Sequence, residues 1–175
     1  MPLGGAVAER GRYSLFRVDD RLLHGQVALA WGRQLNPKHY LLADSALARD
    51  PDTAQLYVLS APEGCDVAVL SPEELLDPAT PLPAPKETIL LVREVTAAAR
   101  LLRGGVSGPL NLGGIHFRRE ARQIFPFLFL TPEEEALLAA LLREGHAVFA
   151  QDLPQNPRWD AAQWLRADAG AARGE

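Results

Sequence analysis

The chain has 175 residues, 47% hydrophobic and 23% charged, a balance that fits one globular domain with a substantial core. Its net charge of −4 argues against the basic face of nucleic-acid and anionic-membrane binders, and its one cysteine, Cys65, excludes an internal disulfide or a cysteine-based metal cluster. The opening MPLGGAVAERGR lacks the basic start and apolar core of a secretory signal, and no apolar run approaches the ~20 residues of a membrane helix, so the sequence reads as a cytoplasmic domain.

Residues 1–12 read as a flexible extension, and Ser14–Val18 as a first short strand. Val27, Ala30, Trp31 and Leu35 recur at helical spacing, which predicts an amphipathic helix over 25–35, ended by Asn36-Pro37. Tyr40–Ala43 is a second strand, 45–61 a helix interrupted at Pro51, and Asp66–Leu70 a third strand. Ser71-Pro72-Glu73-Glu74 spells a capping box with proline at the first helical position, and Thr131-Pro132-Glu133-Glu134 repeats it. Between them lie a proline-rich connection (77–87), a strand at Thr88–Val92, a helix over 95–103 stopped by Gly104-Gly105, and a short strand at Leu110–Leu112. Gln123–Leu130 reads as a sixth strand, with Pro126 implying an edge or a bulge. The helix opened by Thr131 closes at Gly145, Ala147–Ala150 is the last strand, and 166–175 reads as a disordered tail.

Strands alternating with helices over 13–165, several strands apolar throughout, predict a single α/β domain. Its sheet is mostly parallel, open and twisted, with about six or seven strands and helices on both faces. Ligands in such folds gather outside the carboxyl ends of the strands. There the chain reads RVDDRLLHGQV, residues 17–27. A strand-to-helix loop exposes free amides, and the helix dipole favours an anion by about 0.3–1 kcal/mol. His24 sits at that point, Gly25 leaves room for close backbone approach, and Arg21 could fork onto an anionic oxygen. These surroundings suit a histidine that carries a phosphoryl group on a ring nitrogen, with Asp19 or Asp20 orienting the imidazole or fixing Arg21. Read as isolated residue types, the same features more often describe a helix cap or a satisfied polar group.

The whole string resembles the hallmark RxDDRxxHGQV of the enzyme IIB components of the mannose/fructose/sorbose family of the phosphoenolpyruvate-dependent sugar phosphotransferase system. The resemblance continues through APEGCDVAVLSPEE (61–74), NLGG (111–114) and LTPEEEALLAALLREGHAVFAQDLP (130–154). It implies a cytoplasmic phosphocarrier, peripheral to the membrane through its partners. That carrier accepts a phosphoryl group from a IIA phosphohistidine and passes it to a sugar translocated by membrane IIC and IID components. His24 matches the phosphorylated histidine, through Nδ1, and Arg21 the arginine of phosphotransfer. Gly25 and Gln26 fall at the phosphate, and the covalent phosphohistidine calls for no cofactor or metal. The resemblance admits a homodimer.

A second loop, Gly113, Gly114 and His116, is a further candidate because it should reach the same sheet edge. His39 and His146 read as structural, and the four histidines show no metal-ligand spacing. Two departures from the family pattern stand out: Asp44 is followed by Ser45 where a second acid is common, and IHFRREAR (115–122) is unusually basic, so that Arg118, Arg119 and Arg122 read as a partner surface, a phosphate aid or a solvated loop. A regulatory phosphocarrier is the alternative function. A phosphohistidine hydrolase or mutase fits poorly, since Leu23 stands where those enzymes carry arginine.

Overall fold

A computed structural model describes residues 9–165, and the tail expected over 166–175 and residues 1–8 of the expected extension lie outside them. The strands are β1 (Gly11–Arg12), β2 (Leu15–Asp19), β3 (His39–Ala43), β4 (Asp66–Leu70), β5 (Thr88–Val92), β6 (Val106–Ser107), β7 (Leu110–Gly114), β8 (Arg122–Phe125), β9 (Leu128–Leu130), β10 (Val148–Ala150) and β11 (Trp159–Asp160). Seven of them form one sheet in the order β11-β10-β7-β2-β5-β3-β4, parallel throughout except for β11. Every residue of the central strands β2, β5 and β7 is buried, which explains the apolar run of β5 and leaves Arg17, Asp19 and Asn111 as polar groups inside the sheet.

Helices cover both faces. On one lie α1 (residues 25–35), α2 (Ser45–Ala48) and α3 (Pro51–Leu59), packed on Leu15, Tyr40, Leu42, Ile89 and Leu91. On the other lie α4 (Pro72–Leu76), α5 (Val95–Arg103), α6 (Pro132–Arg143) and α7 (Ala161–Trp164), packed on Phe16, Val18, Leu90, Val92, Leu110 and Leu112. Period-2 alternation along β2 therefore sends Phe16 and Val18 to one core, and Leu15, Arg17 and Asp19 to the face covered by α1.

Local chemistry places the helix starts where the sequence predicts them. Both capping boxes form, at Ser71 with Glu74 and at Thr131 with Glu134, and each is worth about 1 kcal/mol. Pro51 splits the expected 45–61 helix, with Asp50 capping the second piece.

Two expectations are corrected, and one helix that lies where expected is wound differently. Gln123–Leu130 is not a strand of the main sheet: β8 and β9 form a separate antiparallel hairpin that turns at Pro126-Phe127. Pro126 has no amide to donate and a fixed φ, so the chain folds back there, stacking Phe125 on Phe127 (5.7 Å) and on Trp159 (5.6 Å). Residues 9–12, expected within a flexible extension, are held: β1 pairs with β6, and Arg10 Nε donates to the Leu75 carbonyl at 2.9 Å. Helix α1 departs from ideal winding, with a π-helical stretch at Val27–Trp31 before its final α-turn, Gly32–Leu35.

Candidate active site

Strand β2 is central, and at its carboxyl end the chain turns sharply. Leu22 N–H donates to the Asp19 carbonyl at 2.9 Å, and Leu22 takes a left-handed φ of 55° with its side chain fully buried. A non-glycine residue in that region costs roughly 1–3 kcal/mol, offset here by burial of the leucine. The corner delivers His24 to the start of α1, where its carbonyl accepts the Ala28 amide at 3.0 Å.

His24 Nε2 lies 2.9 Å from Asp19 Oδ2, with the imidazole 16% exposed, so one ring edge is tied inward while the group stays open to solvent. Asp19 is wholly buried. Its Oδ2 also accepts from Arg17 Nε (3.2 Å) and Nη2 (3.0 Å), and its Oδ1 accepts the Arg21 amide (3.1 Å). Burial pushes the Asp19 carboxyl up, but the His24 hydrogen bond, the Arg17 charge and the Arg21 amide together hold it below the ordinary carboxylate value.

Arg17 is the residue that sequence reasoning passed over. It is 2% exposed, and its Nη1 donates to Asn111 Oδ1 (2.8 Å), the Gln151 carbonyl (3.1 Å) and the Asp152 carbonyl (3.0 Å). Burial lowers its pKa, opposed by Asp19, and the guanidinium stays charged as the counter-ion of Asp19. The signal was present in the string: Arg-x-Asp in an apolar strand puts both charges on one buried face, where they must pair.

The second loop contributes through backbone. β7 carries a bulge opposite Val18/Asp19, and Gly113 is its extra residue. A Cβ on Gly113 would fall 1.9 Å from Cζ and Nη1 of Arg17, and one on Gly114 would fall 3.1 Å from Asp19 Oδ2. Side chains there would occupy the space that the buried ion pair fills. His116 does not bond His24. Its amide and its Nδ1 each lie 2.7 Å from a carboxylate oxygen of Asp20, so Asp20 faces the second loop while Asp19 alone faces the histidine. Asp20 is fixed further by its amide on the Gly114 carbonyl (2.8 Å) and by Arg93 Nη1 on its own carbonyl (2.9 Å). Asp44, the single acid after β3, caps α2 through Oδ1 and holds Arg93 Nε at 3.0 Å through Oδ2.

Arg21 is 45% exposed. Its Nε stands 3.9 Å from Asp19 Oδ1, and its Nη2 donates to Gln26 Oε1 at 3.2 Å, so Arg21 and Gln26 form one polar rim beside the histidine loop. Gly25 has open space where a side chain would stand. The basic run of the second loop is largely neutralised: Arg118 pairs with Glu134 and Arg122 with Glu135. His39 lies 3.6 Å from Asp66, away from the carboxyl edge. Among the described residues, no group of three or more His, Cys, Asp and Glu is placed to hold a metal ion. No helix among them is long and apolar enough to cross a membrane.

The corner therefore offers an imidazole with Nε2 committed to a buried carboxylate and Nδ1 left to act, flanked by a solvent-facing arginine. Known proteins resemble this chain over most of its length. The family model of the PTS system sorbose subfamily IIB component matches residues 13–172. N-acetylgalactosamine-specific phosphotransferase enzyme IIB component 2 of Escherichia coli (strain K12) is 29% identical over 153 residues, 86% of this chain and 97% of that protein. The PTS system mannose-specific EIIAB component of the same organism is 32% identical over 112 residues, 63% of this chain and 35% of that longer protein. Among solved structures, the IIBSor domain of the sorbose permease from Klebsiella pneumoniae superposes with a TM-score of 0.78 at 25% identity, over 87% of this chain and 94% of that domain.

Proposed function

The chain belongs to the sorbose-subfamily IIB components of the sugar phosphotransferase system, and we propose that His24 Nδ1 is the atom on which it carries the phosphoryl group. A IIB component is a phosphocarrier of that system, working with a IIA component and membrane IIC and IID components. The observation that carries the assignment to His24 is the 2.9 Å contact between its Nε2 and the buried Asp19 carboxylate. In the neutral ring, Nε2 keeps the proton and donates it to Asp19, so the lone pair sits on Nδ1.

In the proposed step, Nδ1 attacks the phosphorus of a IIA phosphohistidine as the donor's N–P bond breaks, so one N–P bond replaces another and no cofactor is called for. The ring of His24 becomes positive while Nε2–H stays on Asp19, whose negative charge stabilises it and is itself secured by Arg17. Arg21 and the amides at the start of α1 face the phosphoryl oxygens from the solvent side. In the second step a sugar hydroxyl held by the membrane components attacks the phosphorus, its proton is released, and Nδ1 recovers its lone pair. The relatives reported above are all named as components of sugar-specific systems, which favours transport over a signalling-only carrier.

The test is intact mass after incubation with phosphoenolpyruvate, the two general phosphotransferase proteins and a IIA donor. One acid-labile phosphoryl group is expected on the wild type and none on His24→Ala. Undiminished labelling of a folded His24→Ala would sink the assignment.

A further inference from the structure

At the edge of the sheet opposite His24 lies a cavity of about 590 Å³. Its lining comes from segments that precede parallel strands, Arg12 before β2, Ser107 and Gly108 before β7 and His146 before β10, joined by Arg158, which flanks the antiparallel β11 and lies over Phe149. No carboxylate lines it. Among the described residues Arg12 has no acidic partner, and the Arg158 guanidinium stands 3.5 Å over the Phe149 ring rather than on an acid. In a chain of net charge −4, two exposed arginines without acidic partners beside one hollow form a local positive patch that suits an anion.

The backbone is shaped for close approach. Gly105, Gly108 and Gly145, all on the lining, have φ of 108°, 96° and 93°, conformations that leave bare peptide at the floor. A Cβ on Gly108 would sit 3.0 Å from Arg12 Cγ, so glycine there lets the arginine stem lie close. Pro109 and Ala147 supply an apolar wall. The volume exceeds what inorganic phosphate fills and lies in the range of small-metabolite sites, about 300–1,000 Å³.

We propose that this cavity binds a small phosphorylated metabolite, its phosphoryl oxygens on Arg12 and Arg158 and its carbon skeleton against Pro109 and Ala147. The site is separate from His24: the five residues of β2 alone put roughly 16 Å between the two sheet edges. It stands whether or not His24 carries phosphate.

The full chain, ¹⁵N-labelled, is titrated with glucose 6-phosphate as the probe, with glucose as control. Saturable shifts are expected at the amides of Gly105, Ser107, Gly108 and Gly145 and not with glucose. Each of Arg12→Gln and Arg158→Gln should weaken binding by about tenfold or more, as loss of a charge-assisted hydrogen bond does. Arg12→Lys should retain more affinity than Arg12→Gln, and His24→Ala should bind as the wild type does. Shifts confined to the His24–Gly25 loop, equal shifts with glucose, no shift up to about 10 mM probe, or unchanged affinity in folded Arg12→Gln would each overturn the proposal.

Discussion

Replacing Gly113 by alanine probes the buried ion pair without touching a charge. The new methyl would lie 1.9 Å from two atoms of the Arg17 guanidinium, which must retreat by about 1.5 Å to the 3.4 Å where ordinary contact begins. That retreat is not free, because Nη1 alone is fixed to Asn111, Gln151 and Asp152 at 2.8–3.1 Å. Breaking the geometry leaves Asp19 buried with a displaced counter-ion, a situation that costs about 3–5 kcal/mol. Arg17→Ala should cost a similar amount for the same reason, by stranding Asp19. The two losses should not add. Once the guanidinium is gone the methyl has nothing to strike, so the double variant should match Arg17→Ala within about 0.5 kcal/mol. Denaturant unfolding of the four proteins supplies the cycle, and phosphoryl uptake by intact mass should fall in step, since Asp19 no longer holds His24. Additive losses, or wild-type stability of Gly113→Ala, would refute the account of why glycine stands there.

Asp19→Asn keeps a hydrogen-bond acceptor but removes the charge that meets the phosphorylated ring, and uptake in a quench-flow assay should slow by about 10–100-fold. Arg21→Gln, at an exposed position, should leave the unfolding midpoint within about 0.5 kcal/mol of wild type. It should still accept phosphate, with onward transfer to a sugar-loaded membrane fraction slowed about 10–100-fold, the value of one charge-assisted hydrogen bond. Asp19 also sets a pH limb. Its folded pKa lies below its unfolded value, so its stabilisation is complete above ~pH 4–5 and is lost as pH falls through the folded value. Unfolding midpoints of wild type and Asp19→Asn should therefore converge only on acidification below that range. Thr131→Ala removes one capping box and should cost about 1 kcal/mol by calorimetry, with phosphoryl uptake unchanged.

The helix starts and the interior strands were legible because their signals are local. Ser71 and Thr131 announce their helices within four residues, and TILLV bounded by turns needs no partner to be recognised as a strand. Gln123–Leu130 misled because an apolar run states that it is buried without stating against what, and only Phe125 stacking on Trp159 gives the hairpin its place. β1 and β11, two residues each, carry no period to detect. At the site, the histidine was legible from its contiguous string. Which aspartate faces it was not, since Asp19 and Asp20 differ only in the face of the strand end from which they project. The role of Gly113 was hidden for a different reason: it is steric, and its partner lies 96 positions earlier in the chain.

The carbonyls that receive Arg17 belong to Gln151 and Asp152, 134 and 135 positions downstream. A ribosome exposes His24 more than a hundred residues before those carbonyls. Until they arrive, the guanidinium has only water, Asp19 and Asn111 to satisfy it, and burying β2 would leave Nη1 short of its two carbonyl partners. Closing so long a loop adds entropic cost that grows only slowly with length, so the delay is one of order rather than of energy. A nascent or truncated chain that stops short of Gln151 thus possesses the histidine without the scaffold that aims it, and the capacity to accept phosphate becomes a property that only the nearly finished fold acquires.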